Sequence, residues 1–413
     1  MEKSVSQETP SAAPMHRVLQ FATITGAGFV LGQLSGLVRE MVVSAQFGLS
    51  AELDAYFIAR QVPTLVNNIV AGSAIVAAVT PVFSRDLTLG RRDEFWRTAS
   101  VISNWVLLIT GGLTLIGMIG APWVIASLAW LTGILGGTLA QSTQSIASTL
   151  LVIMMPTLFL SAGLNMLLAM LNSLDRFTAP ALIFLALNVG IIAAVILLTP
   201  FIGVYSVALG FLIGVLLQVL IQVYELRSER PRYTLRLDWH HPAVRQVLVA
   251  FLPITALAIT AQINSLVDGW MAAALAPGSV SALSYANTLL GVFYMVGISL
   301  GIAVFPSLSR MAALSDVESI ARAVVSSLRL LIFILAPITF LLIAFGSPII
   351  GFLLGRGRFD AGAVQMTAQA LGAYAVGLIA IAAIYILQRA FFAMLTMRRP
   401  FSSAYLPPFS IRA

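Results

Sequence analysis

Residues 178–224 read TAPALIFLALNVGIIAAVILLTPFIGVYSVALGFLIGVLLQVLIQVY, without one charged side chain. A helix rises about 1.5 Å per residue and needs about 20 apolar residues to cross a ~30 Å hydrocarbon layer. The stretch therefore holds two crossings, about 178–199 and 201–224, joined by an uncharged turn at 199–203. Its uninterrupted apolar runs are helix-spanning in length and too long for barrel strands, which take about 10 residues each.

The whole chain repeats this character. It has 413 residues, of which 59% are hydrophobic and only 9% charged, against roughly 25% charged in a soluble domain. Mean hydropathy is +0.97. A water-soluble fold of this size needs a charged skin that this chain lacks, so it reads as an integral membrane protein. There is no cysteine, which excludes disulfides, thiolate metal sites and cysteine nucleophiles. The net charge of +7 is carried almost entirely by Arg. In a membrane protein such an excess reflects orientation, not nucleic-acid binding.

Ten spans are expected, at about 18–38, 55–82, 101–127, 147–172, 178–199, 201–224, 247–275, 281–306, 324–354 and 366–396. Residues 1–14 read as a polar tail that is neither ordered nor a cleavable signal. Arginines concentrate in alternate connections. Arg85, Arg91, Arg92 and Arg97 separate spans two and three, and Arg176 separates four and five. Arg227, Arg230, Arg232, Arg236 and Arg245 separate six and seven, and Arg310, Arg322 and Arg329 follow span eight. The intervening connections 128–146, 199–203 and 276–281 are bare. The basic loops and the N-terminus are therefore expected on the cytoplasmic side. Arg39, Arg60, Arg356 and Arg358 are the outer-side exceptions.

The polar connection 226–246 divides a six-span N-lobe (15–225) from a four-span C-lobe (247–400), with 401–413 as a short tail. Its Trp239 suits a membrane interface. The adjacent His240 and His241 do not share a helix face, and no acidic cluster joins them, so no metal site is expected there.

The two lobes resemble each other internally. GQLSGLVRE (32–40) aligns with AQINSLVDG (261–269), which matches Gln33 to Gln262 and sets Arg39 opposite Asp268. VAAVTPVFSR (76–85) aligns with GIAVFPSLSR (301–310), matching Pro81 to Pro306 and Arg85 to Arg310. Both copies start on the same side, so the repeats run parallel about an axis along the membrane normal. The expected fold is all-α: about ten transmembrane helices in two parallel-repeat lobes around a central cavity. If Pro400 is the counterpart of Pro180, too little chain follows to span, and the second lobe has two helices fewer than the first.

Polar residues within the spans fall on helix faces. Thr25, Gly28, Gly32, Ser35 and Arg39 form one face of span one, and Arg60, Thr64, Asn67 and Asn68 one face of span two. Thr260, Asn264 and Asp268 do so on span seven, and Ser284, Asn287, Thr288 and Gly291 on span eight. Intramembrane ionisable residues are costly and default to functional candidates. A water-filled cleft between lobes would want these faces, although small and polar residues also serve plain helix packing. The Gly-rich GGLTLIG (111–117) is wholly apolar and reads as packing. No intramembrane His, acid pair or metal-ligand cluster accompanies these faces, so neither an enzyme nor a cofactor site is expected.

The run SGLVREMVVSAQFGLSAELDAYFIARQVP (35–63) resembles the first hairpin of the MurJ/MviN lipid II flippases, within the multidrug/oligosaccharidyl-lipid/polysaccharide exporter superfamily. TPVFSR (80–85), GSVSALSYANTLLGVFYMVGISLGIAVFPSLSR (278–310) and GRGRFDAGAVQMTAQALGAYAVGLI (355–379) fit the same family, and the landmarks match its cell-wall branch rather than its drug antiporters. The resemblance covers residues 17 to 400. It implies a bacterial inner-membrane flippase that moves an undecaprenyl-pyrophosphate-linked peptidoglycan precursor outward by alternating access. It implies fourteen spans where this chain has ten, and arginines that hold the pyrophosphate bidentately. Its partners would be the lipid-linked precursor, the bilayer and cell-wall synthesis proteins.

Carried over residue by residue, Arg39 occupies a family arginine position, followed by an acid, Glu40. Asp54 matches the acid of the DA[FY] motif. Gln33, Asn67 (with Asn68 beside it) and Thr288 stand where family members are usually basic, and Arg60 lies one residue from a basic position. The resemblance therefore implies substrate contact by Arg39, Arg60, Asn67, Asn68, Gln33 and Thr288. Gating or ion coupling falls to Asp268, Glu40, Asp54 and Asn264. The missing cations leave open a flippase for another polyprenyl-linked glycan, and the short second lobe leaves open a non-transporting partner of wall synthesis.

Overall fold

The computed structural model describes residues 12–134, 137–176, 178–314 and 316–397. The described residues are helical apart from their connections. In chain order the helices are α1 (Ala12–Phe47), α2 (Ala51–Val70), α3 (Ser73–Thr88), α4 (Arg92–Ile134), α5 (Gln141–Met154), α6 (Pro156–Ser173) and α7 (Thr178–Ala181). They continue as α8 (Ile183–Ile202), α9 (Tyr205–Leu226), α10 (Pro242–Ala273), α11 (Ser279–Ala313), α12 (Val317–Ala344), α13 (Gly346–Leu354) and α14 (Ala361–Met397). Eight helical stretches among the described residues have the length and apolar composition to cross a membrane. They coincide with every expected span except the first and seventh. Those two fall on α1 and α10, which are 36 and 32 residues long, and part of whose side chains lies outside the described residues. The tail 401–413 lies outside them too.

Three expected continuous spans are broken in the structure. The span 55–82 is α2 and α3, interrupted at Ala71 and Gly72. A break frees backbone carbonyls, which hydrocarbon cannot satisfy. Asn165 of α6 catches one of them, its Nδ2 donating to the Ala71 carbonyl at 2.6 Å. The span 147–172 divides at Met155 because Pro156 supplies no N–H to the preceding turn. The span 324–354 divides at Phe345, ahead of Gly346. Apolar composition reads through all three breaks, since the residues on both sides remain in the same solvent.

The chain forms two compact units, residues 1–280 and 281–413. In the first, the interior is lined with small residues. Ala55, Ala59, Ala71, Ala147, Ala162, Ala169 and Ala208 are wholly buried, while Trp123, Leu197 and Phe201 are exposed. In lipid, large side chains gain little by leaving the solvent and small ones let helices approach, and Leu150, Leu151 and Met154 fill the interior beside the alanines. A more conventional core lies at the end of the unit carrying the arginine-rich connections. There Phe83, Phe95 and Trp96 stack edge to face at centroid distances of 5.4 and 4.8 Å, with Met166, Met170 and Val247 around them. In the second unit Leu308 and Ala312 of α11 pack with Ile320 of α12 and with Ala390 and Ala393 of α14.

The arginine-rich connections of the first unit are knotted together. Glu229 accepts from Arg92 Nη2 at 2.6 Å and from Arg176 Nη2 at 2.7 Å, and Arg232 donates to Asp93 at 2.5 Å. Glu225 accepts from the Ala179 N–H at the start of α7, which satisfies one of the open donors of that helix end.

Candidate functional site

Arg39 sits near the C-terminal end of α1, with its side chain 17% exposed. A guanidinium at this depth requires acceptors, and Glu40 and Asn188 supply them. Its Nη2 donates to the Glu40 carboxylate, and its Nη1 donates to Asn188 Oδ1 at 3.0 Å. Asn188, on α8 and itself buried, spends its amide protons back on α1. Nδ2 donates to the Gly32 carbonyl at 3.1 Å and to Ser35 Oγ at 2.9 Å. One asparagine thus reads both the backbone of α1 and the arginine about two turns beyond it.

This geometry is possible because α1 and α8 nearly touch. A Cβ on Gly28 would lie 2.5 Å from the Ala181 carbonyl oxygen, and one on Gly32 would lie 2.6 Å from Phe184 Cβ. The Gly28–Gly32–Ser35–Arg39 face, which the spacing suggested for a cleft, is therefore a seam against α7 and α8. The packing alternative holds for its glycines, because a helix that must approach another at backbone distance has no room for a side chain.

The second polar face behaves similarly. Asn68 Nδ2 donates to Gln262 Oε1 on α10 at 3.2 Å, and one helical repeat earlier a Cβ on Gly269 would meet the Gln61 amide at 2.7 Å. Gln262 is the residue that the internal repeat pairs with Gln33, which is half-buried on α1. Asn67, near the break at Gly72, has a buried Oδ1 without a hydrogen-bond donor among the described residues. Arg60 is half-buried and its guanidinium stands over Tyr56 and Phe57 of its own helix, at 5.6 and 5.0 Å from the ring centroids.

The remaining candidates are spread more widely. Asp54, buried in the first turn of α2, accepts from the Gly278 N–H at 2.5 Å. Gly278 adopts φ +91, a conformation that favours glycine, so this carboxylate pins the turn before α11. Asp268 is exposed on α10. The side chain of Asn264 lies outside the described residues. Thr288, in the second unit, donates its hydroxyl to the Ser284 carbonyl at 2.9 Å. The structure therefore brings Arg39 and Glu40 together, and sets Asn68 on the other copy's glutamine. Asn188 and Asn165 were missed in the sequence. Asn188 is the one Asn of the apolar helix α8, and that costly isolation was the available signal; Asn165 shares α6 with Asn172 and stood out less.

Loss of the Asn165 contact should be measurable on its own. Asn165→Leu leaves the Ala71 carbonyl without a partner in an apolar setting, at a cost of about 1–3 kcal/mol. Thermal unfolding in detergent should move down by a few degrees, while Asn165→Gln should lose less.

Comparison with known proteins agrees with this architecture. The family model described as lipid II flippase MurJ matches residues 43–409. The lipid II flippase MurJ of Burkholderia cenocepacia is 29% identical over 393 residues, covering 92% of this chain and 74% of that protein. The probable lipid II flippase MurJ of Vibrio cholerae is 28% identical over 396 residues, covering 93% and 74%. A solved structure of lipid II flippase MurJ in an inward closed conformation superposes with a TM-score of 0.76 at 25% identity, covering 92% of this chain and 78% of that one. An inward-facing multidrug resistance MATE transporter of the MOP superfamily shares the fold, with a TM-score of 0.66 at 13% identity. With its helices, its order of spans and 367 of its residues inside the family model, this chain belongs to the lipid II flippase MurJ family.

Proposed function

We propose that this protein moves lipid II, an undecaprenyl-pyrophosphate-linked peptidoglycan precursor, from the inner to the outer leaflet of a bacterial cytoplasmic membrane by alternating access. Family membership is the observation that carries this reading, and the Arg39 cluster gives it a chemical basis. A pyrophosphate needs a cation that is already desolvated and oriented. Arg39 is held inside α1 with Glu40 on one edge of its fork and a neutral amide on the other. An incoming phosphate can displace the carboxylate and take its two-oxygen geometry, while Asn188 keeps the guanidinium in place. Transport requires no covalent chemistry and no cofactor in this scheme. Arg60, Asn67, Asn68, Gln33 and Thr288 would contribute hydrogen bonds to the carried headgroup. Glu40, Asp54, Asn264 and Asp268 would supply the counter-charges and polar contacts that change between states. Proteins of cell-wall synthesis are the expected neighbours.

A second reading, a flippase for another polyprenyl-linked glycan, is favoured by one observation. Gln33, Asn67 and Thr288 are neutral, and the buried Oδ1 of Asn67 waits for a donor rather than for an anion. The two readings separate in cells. Expression in a strain depleted of its lipid II flippase should restore growth and surface-exposed lipid II. Normal membrane insertion without rescue would favour the other glycan.

A further inference from the structure

The chain between α9 and α10 is not an ordinary wet loop. Residues 231–238 are neither helix nor strand and lie along α4, pinned by their backbone. Ser100 Oγ accepts from the Thr234 N–H at 3.1 Å, and Asn104 Nδ2 donates to both the Thr234 and Arg236 carbonyls, at 3.0 and 2.9 Å. Tyr233 donates its hydroxyl to Asn104 Oδ1. Trp239 stands edge-on to Trp105 at 5.1 Å.

The anchoring points set the depth of this strap. Helix α4 opens with Arg92, Asp93, Glu94 and Arg97, and no charged residue follows before Asp175. Ser100 and Asn104 lie in the first two turns after the last charge, where water gives way to hydrocarbon. From Ser100 to Ile134 the helix runs about 50 Å, enough for the hydrocarbon layer and both headgroup zones. The strap is therefore held at headgroup level.

Its side chains match that position. Leu235, Leu237 and Trp239 are 90%, 57% and 56% exposed, and the next helix adds exposed Val249 and Leu252. Between and around them stand Arg227, Arg230, Arg236 and Arg245, all exposed and without an ion-pair partner among the described residues. A cavity of about 1050 Å³ opens beside them, lined by Trp239, His240, Arg245 and Leu248 among others. Exposed leucines on a fixed backbone are costly in water and at home in an acyl boundary, while unpaired arginines at the same level attract phosphate.

We infer that this strap is an interfacial site for anionic glycerophospholipid: Arg236 and Arg245 engage the headgroup phosphate, and Leu235, Leu237 and Trp239 enter the acyl boundary beside it. The site is separate from Arg39 and does not depend on what the chain transports. Because the chain has no native cysteine, the test can use single labels on the full chain in vesicles. A nitroxide at Leu237→Cys, and independently at Leu235→Cys, should be reached by oxygen and shielded from an aqueous nickel chelate. One at Ser228→Cys should show the reverse. A bimane at Leu237→Cys should be quenched more by spin-labelled phosphatidylglycerol than by spin-labelled phosphatidylcholine. Neutralising Arg236→Gln with Arg245→Gln should lower that preference about ten-fold at low salt, while Arg310→Gln, in the last turn of α11, should leave it unchanged. Nickel access at 235 and 237 equal to that at 228 would overturn the inference, and would fit a surface for an acidic protein instead. An anionic-lipid preference untouched by the double change would overturn it equally.

Discussion

Arg39→Ala is expected to abolish rescue of flippase-depleted cells and to lower stability at the same time. Glu40 is buried and takes its cation from Arg39. Removing one member of a buried pair leaves an uncompensated charge, at about 3–5 kcal/mol. Activity alone would therefore not separate a binding role from a structural one. The double change Arg39→Leu with Glu40→Leu removes both charges and should recover most of the stability, since an apolar replacement of a buried pair is often neutral. It should not recover transport, because the oriented guanidinium proposed to receive the pyrophosphate is gone. Arg39→Lys keeps the charge but loses the planar fork that reaches Glu40 and Asn188 together, and should retain only partial activity. Asn188→Leu removes the acceptor of Arg39 and two donors to α1, and should cost about 2–4 kcal/mol. Thermal unfolding and flipping measured on the same preparations decide the matter. A stable double-leucine variant that flips lipid II normally would remove Arg39 from the substrate path.

The second large effect is expected along the seam between α1 and α8, and it should depend steeply on position. Gly28→Ala places a Cβ 2.5 Å from a backbone carbonyl oxygen, and Gly32→Ala places one 2.6 Å from Phe184 Cβ, an atom fixed directly to the backbone. Neither neighbour can swing away, so the helices must separate. Overpacking of this kind costs roughly 1–3 kcal/mol or more per site, and here it also pulls Asn188 away from Gly32, Ser35 and Arg39. Gly36→Ala is the internal control. Its nearest neighbour would be Asn188 Nδ2 at 3.6 Å, an ordinary contact, and the helix propensity of Ala should make the change neutral or slightly stabilising. Yield of folded protein and flipping should fall for the first two and not for the third. Equal tolerance at all three positions would mean that α1 and α8 are not packed at backbone distance.

Much of the candidate site was visible before the fold was known, and the parts that were not share a cause. Arg39 stood out because a charge in an apolar run is costly wherever it is placed, and Glu40 came with the family resemblance. The glycines were visible too, but their direction was not. A face of small and polar residues satisfies a water-filled cleft and a helix seam equally well, and only the position of Ala181 and Phe184 decides between them. Asn188 and Asn165 lie more than ninety residues from the groups they serve. No local pattern links them, because hydrogen bonds between membrane helices leave no periodicity on either partner.

By itself, then, the sequence determined the solvent, the helical class, the crossings and their alternation of charge. These follow from one-dimensional quantities: apolar run length against bilayer thickness, and arginine count against side. Tertiary structure decided where the crossings break, which faces meet and which groups satisfy them. In hydrocarbon every backbone and side-chain polar group must find a partner inside the protein, and that partner is a property of packed helices rather than of any single stretch of chain.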